Sequence, residues 1–175
     1  SITSEKPFIL SNIVGASNIF SLALENRVTR VVQISTDEVY GSVIKGQSKE
    51  KDRLEPNSPY SASKASADLI GRAFHETHGL NIVFTRCSNN FGPFQHPEKF
   101  IPRSIASLMN NQTIKVYGEG KNIREWIHVD DHINGIHKVT NFGKSGHIYN
   151  IGSGTLLSNL EIAKLICNKF GKDYG

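Results

Sequence analysis

The chain has 175 residues, 38% of them hydrophobic and 21% charged, with a formal charge of +4. That balance excludes a disordered or fibrous chain and suits a globular protein able to bury a core. Its Lys and Arg are scattered, with no basic run and no aromatic RNA-binding motif, so the charge points to a small phosphorylated ligand rather than nucleic acid.

The first residues, Ser1-Ile2-Thr3-Ser4-Glu5-Lys6, lack the basic-then-apolar order of a signal peptide. They also lack an initiating Met, which leads us to expect the start of the gene upstream. No stretch approaches the ~18 uninterrupted apolar residues that cross a bilayer, so no membrane partner is expected. From Lys6 to Asn26, Ile9, Ile13, Ala16, Phe20 and Ala23 recur at helical spacing and predict an amphipathic helix. Val31-Val32-Gln33-Ile34 reads as a short buried strand. The polar, turn-rich segment from Gly41 to Pro59 reads as a loop. A second helix is expected from Pro59 to Thr77, ending at His78-Gly79, and a strand from Asn81 to Thr85.

This alternation predicts an α/β fold: a parallel sheet with helices on its faces. Cys87 to Pro93 loosens into an irregular segment, followed by a helix near Ile101–Met109 and a strand at Ile114–Tyr117. Asp130 or Asp131 can cap a helix reaching Val139. His147–Ile151 reads as a further strand, and Asn159–Phe170 as a closing helix. Cys87 and Cys167 show no CxxC spacing, which fits reduced thiols in a cytoplasmic protein.

The glycine turn that opens a dinucleotide-binding sheet has no counterpart. Gly118-Glu119-Gly120 and Gly152-Ser153-Gly154 each lack the third glycine, since Ile123 and Leu157 stand there. Two segments nevertheless carry chemistry. Tyr60 and Lys64 lie four apart on the second helix and share a face, where an ammonium is expected to lower the pKa of a phenol and make it a base. Ser35-Thr36-Asp37-Glu38 follows directly after a buried strand, where ligands bind in open α/β sheets. Adjacent carboxylates in one crevice repel, so one can keep its proton while the other ionises. Read singly, each segment has a plainer explanation: an exposed helix pair for the first, a polar turn for the second.

In order, STDEVYG, YSASK, RCSNNFGPFQHPEKFIP, YGEGKNIREWIHVDDH and YNIG resemble the dTDP-glucose 4,6-dehydratases of the extended short-chain dehydrogenase/reductase superfamily. The resemblance runs from about Pro7 to Phe170. It implies the second half of a Rossmann-like sheet with a small interleaved substrate-binding domain. Residues 1–92 would be the later part of the NAD-binding domain and 93–175 mainly the substrate-binding region, with 130–151 returning to the first.

The resemblance further implies that Tyr60 takes the O4 proton of a nucleotide-diphosphate sugar while bound NAD takes the C4 hydride. Lys64 would hold the nicotinamide ribose and Thr36 the same sugar oxygen. Glu38 would remove the C5 proton, and Asp37 would protonate O6 as water leaves. Ser11, Ser35 and Asn90 are implied as further contacts to NAD. Asn89, Lys99, Phe100, Tyr117, Arg124 and Asn159 are implied around the substrate's diphosphate, where the planar fork of Arg124 suits two hydrogen bonds. Ser11 and Ala16 depart from the Thr usual in the family at their positions. A homodimer packed through the helices Lys6–Asn26 and Pro59–Thr77 is also implied.

His128, His132 and His137 with Asp130 and Asp131 do not converge at metal-ligand spacing, and no metal is expected. Two other readings stand beside the dehydratase. An NAD-dependent nucleotide-sugar epimerase or decarboxylase needs Tyr60 and Lys64 but not Asp37 and Glu38 together. A truncated, non-catalytic fragment would bind NAD poorly for want of the glycine turn.

Overall fold

The structure, a computed structural model, describes residues 4–43 and 46–174. The chain divides into two compact units, one comprising the chain up to Cys87 with Ile133–Ile151, the other Ser88–His132 with the chain from Gly152 onward.

The first unit opens with α1 (Lys6–Glu25), whose middle, Ile9–Gly15, widens into a π-helical turn. Then come β1 (Val31–Thr36), a 3-10 turn (Asp37–Tyr40), α2 (Pro59–His78) and β2 (Ile82–Cys87). β5 (Ile148–Ile151) completes a sheet in the order β1-β2-β5. Both pairings are parallel, with Thr36 opposite Cys87 and Cys87 opposite Ile151 at the carboxyl ends. The parallel sheet expected from the sequence is therefore present.

The central strand reads Ile-Val-Phe-Thr-Arg-Cys and is buried through Arg86, as a strand covered on both faces must be. Phe20 and Ala23 of α1 pack with Leu80, Ile82 and Phe84 to form the core, and the Phe20 ring meets Phe74 edge-on at 5.7 Å. Gly71 of α2 lies against Phe84, where an added Cβ would come within 2.8 Å of the ring. Helix and strand approach this closely only because that position has no side chain.

Helix α2 begins and ends where its sequence directs. Ser58 and Ser61 form a reciprocal capping box, Pro59 occupies the first turn, and Gly79 closes the helix at φ +70. Among the described residues one helix, α1, is long and apolar enough to cross a membrane, with a mean hydropathy of 1.5 and 11% of that window buried. One of its polar residues is nonetheless used inside the unit: Asn12 donates to the Ser63 hydroxyl at 2.9 Å. Ile9, Leu10, Val14, Ile19 and Leu22 remain exposed along it.

The second unit holds β3 (Asn89–Phe91), α3 (Phe100–Met109), β4 (Ile123–His128), β6 (Leu156–Ser158) and α5 (Asn159–Lys169). β4 pairs parallel with β3 and antiparallel with β6, giving a small mixed sheet. Leu108, Ile114, Ala163 and Cys167 form its core. α4 (Val129–Phe142) leaves this unit after His132 and continues in the first.

One expected strand is absent. Ile114–Tyr117 forms no ladder; Ile114 and Val116 instead turn their side chains into the core beneath α3 and α5. Gly118 and Gly120, at φ +57 and +65, then redirect the chain. The ladder forms at Ile123–His128, within a segment whose charged residues mask the strand pattern.

Ser158 and Glu161 form a second capping box at the start of α5, with Ser158 N–H donating to Glu161 Oε2 at 2.7 Å. The Ser158 backbone N–H and hydroxyl hold the Glu161 carboxyl below its ordinary value of 4.5. A depressed carboxyl stabilises the fold above that value, and the contribution is lost as pH falls through the lowered pKa. We expect Ser158→Ala to cost about 1 kcal/mol at neutral pH, read as a lower urea midpoint, because the cap is removed. The difference from the parent should shrink in acid.

Candidate functional site

β1 ends at Thr36, and the chain turns at once into the 3-10 turn that carries Asp37 and Glu38. Thr36 caps this turn. Its Oγ1 accepts from Glu38 N–H at 3.3 Å and donates to Asp37 Oδ1 at 3.2 Å. Gly41 makes the exit possible: at φ +79, a side chain there would collide with the Glu55 carbonyl. Both carboxylates are half-buried, and Thr36 is 8% exposed.

Tyr60 lies in the first turn of α2 and is half-buried, its ring edge-on to Phe8 at 5.7 Å. Lys64 follows one turn later and donates from Nζ to the Ile34 carbonyl of β1 at 2.6 Å. Thr36, Asp37, Glu38, Tyr60 and Lys64 thus all belong to the first unit, with the carboxylates at the carboxyl end of a parallel strand. This is where open α/β sheets bind ligands.

The electrostatics reverse one expectation. Lys64 was expected to lower the Tyr60 pKa, yet the Tyr60 phenol is raised above its ordinary value. Burial is the main cause, followed by the charges of Glu38, Cys87 and Asp37. Lys64 is itself lowered by burial, opposed by Asp68 and Cys87. Partial burial disfavours the charged form of both groups, and the ammonium is engaged by the Ile34 carbonyl.

A direct consequence can be measured. Removing the Glu38 charge in Glu38→Gln should lower the Tyr60 pKa, and Asp37→Asn should lower it less, the order of their contributions. Titration of a carbon-13 label at tyrosine Cζ, assigned by loss of the signal in Tyr60→Phe, reads this shift without any ligand. An unmoved Tyr60 would show that the carboxylates do not act on it.

Ser35 is buried at 3% exposure and lies opposite Arg86 in the β1–β2 ladder. Ser11 is exposed on the π-helical part of α1. In the second unit, Asn89 donates to the Glu125 carbonyl at 3.3 Å, and Asn90 donates to the Ser88 carbonyl at 3.1 Å. The Asn90 carbonyl accepts from Gln95 Nε2 at 2.8 Å. Lys99 stands at the N-cap position of α3 without a side-chain cap bond and is exposed; Phe100 packs on the unit's core. Tyr117 is 85% exposed.

Arg124 lies on β4 opposite Leu157, and Asn159 begins α5 with its N–H on the Asn122 carbonyl at 3.3 Å. The β4–β6 pairing therefore brings Arg124 and Asn159 to one region of that unit. Glu125 uses its Oε1 to accept from Gly154 N–H at 2.6 Å. No group of His, Cys, Asp and Glu among the described residues could hold a metal ion.

Sequence reasoning missed Phe8, Asn12, Asp68 and Arg86, which touch or surround the Tyr60–Lys64 helix. Asn12 carried no signal inside an apolar repeat. Asp68 stands one turn beyond Lys64, a spacing that was there to be read.

The sequence profile of the NAD dependent epimerase/dehydratase family matches residues 1–152. A dTDP-glucose 4,6-dehydratase of Streptomyces griseus is 49% identical over 175 residues, covering 100% of this chain and 53% of that protein. One from Streptomyces antibioticus is 47% identical over 98% of this chain and 51% of its own length. The chain therefore spans about half the length of the curated relatives it matches.

Among solved structures, the dTDP-glucose 4,6-dehydratase of Streptomyces venezuelae, with NAD bound, is similar at TM-score 0.98 and 46% identity, over 99% of this chain and 54% of that one. A UDP-glucuronic acid 4-epimerase from Bacillus cereus in complex with NAD reaches TM-score 0.91 at 25% identity, over 97% and 56%. The profile match over residues 1–152, together with these likenesses, shows that the chain belongs to the NAD dependent epimerase/dehydratase family.

Proposed function

We propose that this chain carries the acid–base machinery of a nucleotide-sugar 4,6-dehydratase, which converts dTDP-glucose or a related nucleotide-activated glucose to the 4-keto-6-deoxy sugar. The observation that carries the reading is the presence, in one unit, of the Tyr60–Lys64 pair and of two adjacent carboxylates whose charges reach Tyr60. An epimerase needs the first and has no use for the second. The dehydratases among the relatives, at 49% and 47% identity, support the same choice over the epimerase at 25%.

The residues present suit NAD by the chemistry of their donors: a half-buried ammonium at Lys64 and a phenol at Tyr60 one helical turn away. Lys64 would hold its ribose, with Ser11, Ser35 and Asn90 as further contacts. NAD, when bound, supplies a hydride acceptor and returns the same hydride later, so no outside reductant is needed.

Tyr60 takes the proton of the sugar's 4-hydroxyl while Thr36 hydrogen-bonds that oxygen. The C4 ketone makes the neighbouring C5–H acidic, and Glu38 removes it. Asp37 protonates the 6-oxygen, which leaves as water. Asp37 serves as the acid of this step and Glu38 as its base. Asn89, Lys99, Phe100, Tyr117, Arg124 and Asn159 of the second unit would bind the nucleotide diphosphate.

The test is mass spectrometry of sugar nucleotides incubated with the full-length protein and NAD. Loss of one water from dTDP-glucose or UDP-glucose supports the reading and names the nucleotide. Unchanged mass with a changed sugar configuration would turn the assignment to an epimerase.

The partner proposed is a second copy of the chain, packed through α1 and α2, whose exposed Ile9, Leu10, Val14, Ile19, Leu22 and Leu69 would be covered. Light scattering of the full-length protein should give the mass of a dimer; a monomer would remove this proposal.

A further inference from the structure

Arg86 lies on the central strand of the parallel sheet, opposite Ser35, with 3% of its surface exposed. A guanidinium buried this deeply is costly unless its donors are used. They are used on two different elements. Nε donates to Asp68 Oδ2 on α2 at 3.0 Å, and Nη1 donates to the Tyr40 hydroxyl oxygen at 2.9 Å. The guanidinium carbon also lies 4.8 Å from the centre of the Tyr40 ring.

These two partners belong to the two catalytic segments. Asp68 follows Lys64 by one helical turn and Tyr60 by two, on the same face of α2. Tyr40 is the last residue of the turn that begins with Asp37 and Glu38. Tyr40 is held in addition from its far side, donating to Asn150 Oδ1 of β5 at 2.8 Å. Asn150 in turn donates from Nδ2 to the Ser48 carbonyl at 3.0 Å and from its N–H to Glu50 Oε1 at 3.1 Å. One buried cation therefore joins the sheet, the helix and the turn.

The planar fork of arginine makes this joint rigid. Neither Asp68 nor Tyr40 can shift by much without leaving a buried donor or charge unpaired. A buried ion pair adds little net stability compared with an apolar replacement, but it specifies a single geometry. Reaction steps divided between two segments are sensitive to their separation at the scale of an ångström.

We infer that Arg86 is a positioning residue: acting through Asp68 and Tyr40, it fixes the separation between the Tyr60–Lys64 helix and the Asp37–Glu38 turn. This rests on the dehydratase reading above, and it names side chains that take no part in the chemistry themselves.

Three substitutions in the full-length protein test it. Tyr40→Phe keeps the ring against the guanidinium and removes only the oxygen. Asp68→Asn keeps the size and removes the charge. Arg86→Lys keeps the charge and loses the fork. With NAD and the nucleotide sugar that the parent dehydrates, Tyr40→Phe should lower kcat about 10- to 100-fold with KM little changed. A 4-ketone that still carries its 6-hydroxyl should accumulate, because the turn performs the elimination. Asp68→Asn should slow the reaction before the ketone forms, and Arg86→Lys should slow both stages. Parental kcat in folded Tyr40→Phe, or an equal slowing of both stages in all three variants, would overturn the inference.

A second measurement needs no turnover. In the parent, Glu38→Gln should lower the Tyr60 pKa; in a Tyr40→Phe background that shift should be smaller, because the turn is no longer held at the same distance. An equal shift in both backgrounds overturns the role of Arg86. If the parent dehydrates no sugar, the functional reading fails, and this cycle alone decides whether Arg86 sets the spacing.

Discussion

Glu38→Gln in the full-length protein is expected to slow loss of water from the sugar nucleotide about 10²- to 10⁴-fold while leaving oxidation at C4 in place. The sugar should stop, in an amount equal to the enzyme, as a ketone two hydrogens lighter than the substrate. Tyr60→Phe should slow the reaction by a similar factor, but with no change of mass at all, since it removes the base for the first step. On the proposed mechanism the two variants separate because the base of the first step, Tyr60, lies on α2, whereas the elimination uses the carboxylates of the turn after β1. Full turnover in Glu38→Gln combined with Asp37→Asn would sink the dehydratase assignment and leave the epimerase reading. A double substitution that merely unfolds the protein is recognised by circular dichroism.

Phe84→Ala is expected to destabilise the protein by about 3–5 kcal/mol, the usual cost of deleting a fully buried ring. Phe84 is 2% exposed on the central strand and packs with Phe20, Ala23, Leu80 and Ile82. The cavity would open directly against Gly71, which has no side chain to fill it. Phe142 provides the control within the same unit. It is 84% exposed at the end of α4, and its replacement by Ala should change stability by no more than about 0.5 kcal/mol. Urea denaturation of both variants checks the pair. Equal midpoints would mean that the core is not organised around β2.

The raised Tyr60 phenol bears on how the pH dependence of turnover should be read. A phenol raised by burial and by the nearby carboxylates gives up its proton only at higher pH, so a rate that depends on Tyr60 as the base should rise with pH along a limb displaced to the basic side. Changes at Glu38 should then move this limb as well as lower the rate.

The sequence by itself determined the α/β class, the helices expected at Pro59–Thr77 and Asn159–Phe170, each within one residue of its observed end, and the strands that became β1, β2 and β5. These segments follow local rules that need no partner: helical periodicity, capping serines, a C-terminal glycine and β-branched runs. The two motifs at Ser35–Gly41 and Tyr60–Lys64 were legible for the same reason, since each is contiguous or four apart.

Tertiary structure alone decided the rest. It withheld a ladder from Ile114–Tyr117 and gave one to Ile123–His128, because a strand exists only where a partner edge offers hydrogen bonds. It also set the sign of the Tyr60 shift, through burial and the nearness of Glu38 and Asp37, quantities that spacing along a helix does not contain. Arg86, Asp68 and Tyr40 are scattered along the sequence and follow no motif. Only the fold, by bringing β2, α2 and the turn after β1 within reach of one guanidinium, turns them into one buried joint.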